Sequence, residues 1–170
     1  RTLCDNTGTS VNSPRPRDRT GTDLADLPLE RVADLQLVVA DATSTGRAIN
    51  ADVLPAEDLR GKALLLRTDF SHHWRTDSYF SANPYLTADA CDALVSAGVA
   101  FVGIDSLNID NIEDMARPAH TILLGAGIPV CEHMTNLAAV GSNVGRLHAV
   151  PIPLVGGATV AVRAYGVADE

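Results

Sequence analysis

Residues 98–111 read GVAFVGIDSLNIDN, and residues 118–137 read PAHTILLGAGIPVCEHMTNL. The first opens with an apolar run over 99–104 that ends at Asp105. A short apolar run bounded by glycine suits a buried strand that delivers an acid to its C-terminal end. The second starts a helix at His120 that Gly125 and Gly127 terminate. It continues into a strand over 128–131 that ends at Glu132. Two buried strands carrying polar groups at their ends place a candidate site on a mixed α/β scaffold.

The rest of the chain fits around that unit. Residues 87–98, TADACDALVSAG, form a helix capped by Thr87, with Asp89 in its first turn and Gly98 as its C-cap. Cys91, Leu94 and Val95 make its apolar face. LQLVVAD at 35–41 and ALLLRT at 63–68 are strands, the second buried on both sides by its continuous apolar run. Pro55 and the following AED suit a helix start at 54–60, stopped by Gly61. Residues 1–22 are irregular, 24–32 a short turn or 3-10 piece, and 43–50 a loop. Residues 147–153 suit an edge or terminal strand because of Pro151 and Pro153. Residues 159–167 form a single final strand. The loop over 69–84, with Tyr85 just beyond it, gathers five of the seven aromatic residues: Phe70, Trp74, Tyr79, Phe80 and Tyr85. Aromatic side chains outside regular structure suggest a pocket lining or an interface.

Composition narrows the functions. The 170 residues fit one domain able to bury a core without staples. The net charge of -8 argues against a nucleic-acid partner. Cys4, Cys91 and Cys131 match neither a disulfide framework nor a zinc knuckle. No signal-peptide pattern or long apolar span is read, so a cytoplasmic protein with no membrane partner is expected. The polar start at Arg1 leaves a missing N-terminal segment open.

An ordered series of segments carries a resemblance: DLADLPLERV, GKALLLRTD, YFSANPYLTADACDALVSAGVAFVGIDSLNID, AHTILLGAGIPVCEHMTNL and VPIPLVGGATVAVRAYGVA. The chain resembles the cyclase family that includes bacterial kynurenine formamidase (an arylformamidase) and isatin hydrolase. The resemblance implies a swivelling β/β/α fold with mixed sheets and few helices. It implies a single domain over 1–170, a small-molecule substrate, and a homodimer or homotetramer whose subunits shape one another's pockets.

It also implies a divalent metal, zinc or manganese, on five side chains. Three come from a motif His-x-Gly-Thr-His-x-Asp-x-Pro, matched here by residues 6–14, NTGTSVNSP. Gly8, Thr9 and Pro14 are kept. Asn6, Ser10 and Asn12 stand where the two histidines and the aspartate would be, and Pro16 stands for a proton-shuttling histidine. The remaining two ligands match His120 and Glu132. Amide and hydroxyl oxygens replace imidazole and carboxylate poorly as ligands for zinc or manganese. No cofactor is therefore expected, with zinc or manganese on His120 and Glu132 as the second reading.

Without the metal, His120 and Glu132 are the candidate catalytic pair for proton transfer on an amide, ester or ring-closing substrate. Asn6, Ser10 and Asn12 become candidate donors to substrate or oxyanion. Asp69, His72, His73 and Trp74, in a region that borders the family's pocket, are candidate substrate-binding residues. Asp105 matches a Gly-x-Asp element that supports the site from behind. His133 reads as a supporting or surface histidine. Cys131 should face away from Glu132 by strand alternation, and Cys4 lies close enough to the altered motif to reach the pocket. Plainer readings stand beside these: His120 as a core hydrogen-bonding residue, Glu132 in a salt bridge with Arg67 or Arg163, the aromatic loop as a solvated or subunit-contact surface. A non-catalytic relative serving in binding or assembly is the alternative function.

Overall fold

The computed structural model describes residues 4–14, 21–140 and 145–168. Among these residues ten strands and two α-helices are formed: β1 Ser10–Asn12, β2 Leu35–Asp41, β3 Ala48–Ile49, β4 Ala63–Arg67, β5 Tyr85–Leu86, α1 Ala88–Ala97, β6 Phe101–Ile104, α2 Pro118–Gly125, β7 Val130–Glu132, β8 Gly145–His148, β9 Thr159–Ala161 and β10 Tyr165–Ala168. Eight strands make one sheet in the order β10-β8-β2-β4-β6-β7-β1-β9, and β3 with β5 forms a small separate ladder. Strands β2, β4, β6 and β7 run parallel. The flanking pairs β1·β7, β1·β9, β2·β8 and β8·β10 are antiparallel. This is the mixed α/β, β/β/α-like architecture of few helices that the resemblance implies.

The parallel centre is buried on both faces, which explains the unbroken apolar run of β4. Leu64 and Leu66 pack with Val102, Ile104, Val130 and the inner faces of α1 and α2. Leu65 points the other way, with Phe101, Cys131, Met134 and Val11. Each fully buried leucine contributes about 1.5–3 kcal/mol of apolar burial. Helix α1 is capped as its sequence predicts: Thr87 Oγ1 accepts from Ala90 N, and Gly98 closes the helix at φ +71°.

Several elements differ from the sequence reading. Residues 54–60 form no helix; a 3-10 turn at Ala51–Val53 precedes them, and bends follow. Seven residues are few to offset the cost of helix nucleation, and Leu54 and Leu59 reach the core without a helix. Asp58 Oδ1 instead accepts from Arg60 N in a local turn. Strand β1 lies inside the N-terminal region read as irregular, because three residues between turns carry no periodic signal. The 69–84 loop holds two 3-10 turns, Phe70–His73 and Asp77–Phe80. Strand β8 sits between β10 and β2 rather than at an edge, and the two prolines follow it.

The final strand is in fact two. β9 pairs with β1 at one end of the sheet, and β10 pairs with β8 at the other. Three residues, 162–164, join them, and four Cα steps span at most about 15 Å. The eight-stranded sheet is therefore curled until its two edges nearly meet.

Candidate functional site

Strands β1 and β7 build the site. They pair antiparallel with Ser10 opposite Glu132 and Asn12 opposite Val130. Directly opposed residues share a face, so Ser10, Asn12 and Glu132 all project to one side. Cys131 projects to the other, where it is buried in the second core cluster, and desolvation pushes its thiol far above the ordinary range. Neither its environment nor its position suits a nucleophile.

Glu132 is buried and held at both oxygens. Oε1 accepts from Ile109 N at 2.8 Å, and Oε2 accepts from Asn12 Nδ2 at 3.1 Å. Thr159, on the neighbouring strand β9, donates to Asn12 Oδ1 at 2.6 Å. That bond fixes the Asn12 amide with its nitrogen toward Glu132. Neither Arg67 nor Arg163 pairs with Glu132, contrary to the salt-bridge reading. Arg67 lies against Asp69 and Asp41 instead.

His120 reaches the same place from the first turn of α2. Its Nδ1 is 2.6 Å from Asp110 Oδ2, and its Nε2 is 3.5 Å from Glu132 Oε1. Asp110 also accepts from the backbone N–H groups of Ala119 and His120, so it caps the start of α2 from the loop after β6. Burial pulls its carboxyl upward, but the His120 bond, the His120 charge and the two amide donors outweigh this and hold it below the ordinary carboxylate value. Ionised Asp110 accepts a hydrogen bond from Nδ1–H and leaves Nε2 directed at Glu132, the orienting role an acid plays beside a catalytic imidazole. Arg117 Nη2 lies 3.1 and 3.2 Å from the two ring nitrogens of His120.

These groups open onto a cavity of about 450 Å³ lined by Asp5, Asn6, Asn12, Asn108, Arg117, His120, Glu132, Ala158 and Thr159. The structure thus brings together His120, Glu132, Asn6 and Asn12. Ser10 lies buried on the same face with its hydroxyl unpartnered, but it does not line the cavity. Cys4 is exposed and does not line it either. Pro16 lies outside the described residues. Asp69 pairs with Arg67, and His72 and His73 are exposed on a 3-10 turn. Trp74 lines a different cavity, with Tyr79, His133 and Thr9. His133 projects away from Glu132 onto Tyr79 Oη, 2.9 Å away, and desolvation lowers its basicity. Asp105 is buried behind the site. It accepts from Thr68 N, Thr68 Oγ1 and Asp69 N, tying the end of β4 to the end of β6.

Sequence reading missed Asp110, Asn108, Arg117 and Thr159. No spacing signals them: Asp110 caps a helix eight residues downstream, and Thr159 meets Asn12 across 147 residues.

The donor set does not fit a divalent metal. Among the described residues no group of three or more His, Cys, Asp or Glu side chains is placed to hold one. More telling, Asn12 bonds Glu132 directly. An aspartate there would face Glu132 as a second carboxylate at the same separation, an arrangement that calls for a cation between them. The asparagine closes the gap with a hydrogen bond from its neutral amide.

A family model described as "Putative cyclase" matches residues 1–111. Among the curated proteins, none matches the chain at a significant level. Solved structures do. An isatin hydrolase bound to the product analogue thioisatinate superposes with a TM-score of 0.88 at 20% identity, over 99% of this chain and 74% of that one. Isatin hydrolase A from Ralstonia solanacearum gives 0.85 at 23% identity, over 96% and 72%. Isatin hydrolase A from Labrenzia aggregata bound to benzyl benzoate gives 0.82 at 20% identity, over 99% and 75%. At these identities the structures establish the shared fold, and the match over 1–111 establishes the lineage: the chain belongs to the cyclase family.

Proposed function

We propose that the protein is a cyclase-family enzyme acting on an amide, ester or ring-closing substrate, with Glu132 and His120 moving protons in a site that does not rely on a metal. The observation that carries this reading is the linear set Asp110–His120–Glu132, with contacts of 2.6 and 3.5 Å, at the wall of a polar cavity. Asp110 holds the imidazole in one tautomer. Glu132, braced by Ile109 N–H and Asn12, takes a proton from the attacking water or substrate hydroxyl and passes it across the 3.5 Å contact to His120 Nε2, which delivers it to the leaving nitrogen or oxygen. General acid–base catalysis of this kind contributes about 10²–10⁴-fold. Asn6 lies where an amide can meet developing oxyanion charge. Asp69, His72, His73 and Trp74 would join the substrate only from the far side of β7 or from another subunit.

The reading extends to the whole chain as one cyclase-like domain, assembled as a homodimer or homotetramer in the cytoplasm. No helix among the described residues is long and apolar enough to cross a membrane. Metal analysis paired with an assay on formyl-aryl-amide and lactone substrates tests the proposal. Metal-free wild type is expected to turn over and Glu132→Ala to lose at least 100-fold. Turnover that is unchanged in Glu132→Ala, or that requires added zinc or manganese, sinks it.

A further inference from the structure

The aromatic cluster around Tyr79 takes no part in the acid–base scheme. Tyr79 is its buried centre. Phe70, Trp74 and His133 pack on it with ring centroids 5.4, 5.1 and 5.8 Å away. Trp74 stands edge-on to Tyr79 at 87° and keeps 46% of its surface exposed. Trp74, Tyr79 and His133, with Thr9, Ser71 and Met134, wall a cavity of about 300 Å³. It shares no lining residue with the polar cavity of Glu132.

The backbone carries His133 to this cavity in a conformation that costs free energy, at φ +55°. Thr9 Oγ1 donates to its carbonyl at 2.7 Å, and its own N–H donates to Ser106 O at 3.0 Å, so the strained residue is held from both sides. Tyr79 Oη lies 2.9 Å from Nδ1. The buried phenol has no other acceptor among the described residues, so it donates to Nδ1, and the ring's own proton sits on Nε2. Neither that N–H nor the Ser71 hydroxyl has a hydrogen-bond partner among the described residues. The wall therefore offers unspent donors beside aromatic surface that its neighbours already hold rigid, which lowers the ordering cost of binding.

The lining also says what would suit it. No Asp, Glu, Lys or Arg side chain borders the cavity, so an ionic ligand would lose water there without a counter-charge. Its volume is at the small end for ligand pockets, enough for one or two fused rings. We propose that this cavity is a second small-molecule site, and that it takes a neutral, planar aromatic compound carrying a carbonyl. The ring packs against Trp74, and the carbonyl oxygen accepts from His133 Nε2–H. The inference is independent of the chemistry assigned to Glu132 and His120.

The chain has one tryptophan, so a single indole N–H resonance reports on this cavity. 1-Indanone is titrated into the intact protein and followed at that resonance by NMR. Indane, which lacks the carbonyl, and octahydroinden-1-one, which lacks the aromatic face, are the matched controls. 1-Indanone is expected to shift the resonance saturably and to bind about fivefold more tightly than either control. His133→Gly, which keeps the left-handed backbone and removes the donor, abolishes the preference over indane. Trp74→Leu, at an exposed position, abolishes the preference over octahydroinden-1-one when read by calorimetry, and it serves alone if the glycine variant does not fold. No saturable shift, equal binding of 1-indanone and either control, or preferences that survive in the variants overturns the assignment.

Discussion

Asn12 shows how one residue changes the character of a site while keeping its frame. Its amide nitrogen bonds Glu132 and its oxygen accepts from Thr159, so both ends are committed. Asn12→Asp would replace a donor by a carboxylate beside Glu132. Losing a charge-assisted bond and adding repulsion costs about 2–3 kcal/mol, so the variant should melt roughly 5 °C or more below wild type at neutral pH. Differential scanning calorimetry decides this; an unchanged melting temperature contradicts the geometry. Added zinc should leave the wild-type melting temperature where it is, and a rise of several degrees would defeat the donor-set argument. Asp105 makes a pH-dependent prediction. Burial raises its carboxyl above the ordinary value of 3.8, despite the bonds from Thr68 and Asp69. The folded state thus holds the proton more firmly than the unfolded chain. The contribution to stability is fullest below 3.8 and is lost as pH rises through the folded value. Denaturant melts across the acidic range should show wild type losing stability relative to Asp105→Asn as pH climbs through that window. Parallel curves for the two proteins would contradict it.

Among the elements, β6 leaves little room for change. A Cβ on Gly103 would lie 2.4 Å from Met134 Sδ and 2.6 Å from Leu65 Cδ2. Gly103→Ala must displace two packed side chains, at about 1–3 kcal/mol. Reversible thermal or urea unfolding should register a destabilisation of that order, and a neutral substitution would mean the sheet relaxes more easily than its packing implies. Strands β2, β4 and β6 and helix α1 were legible from sequence because their signals are local: apolar runs, a threonine cap, a terminal glycine. Strand β1 was not, and β9 was read only as part of one longer strand over 159–167. Each is three residues long and exists because a partner strand supplies its hydrogen bonds. The helix expected at 54–60 failed for the converse reason: a local start signal in a segment too short to nucleate, whose Leu54 and Leu59 reach the core from bends and turns instead.

For the molecule as a whole, the separation of β9 from β10 matters most. The C-terminal segment stitches both edges of the curled sheet, and β9 also carries Thr159 to Asn12. Removing residues 159–170 should expose the outer edges of β1 and β8 and release Asn12 from its fixed orientation. The truncated chain is expected to lose cooperative unfolding or aggregate, as unpaired edges invite. Light scattering and thermal melting would show it, and a monodisperse, cooperatively melting product would refute the closure role. Sequence by itself determined the family and the buried strands, and through the family resemblance singled out His120 and Glu132, because motif order and apolar runs are properties of the chain read in one direction. Only the tertiary structure decided that Asp110 orients His120, that Asn12 bonds Glu132 and that Arg117 faces the cavity. Those contacts depend on side-chain direction and on strands brought together across as many as 147 residues, and no local pattern encodes either.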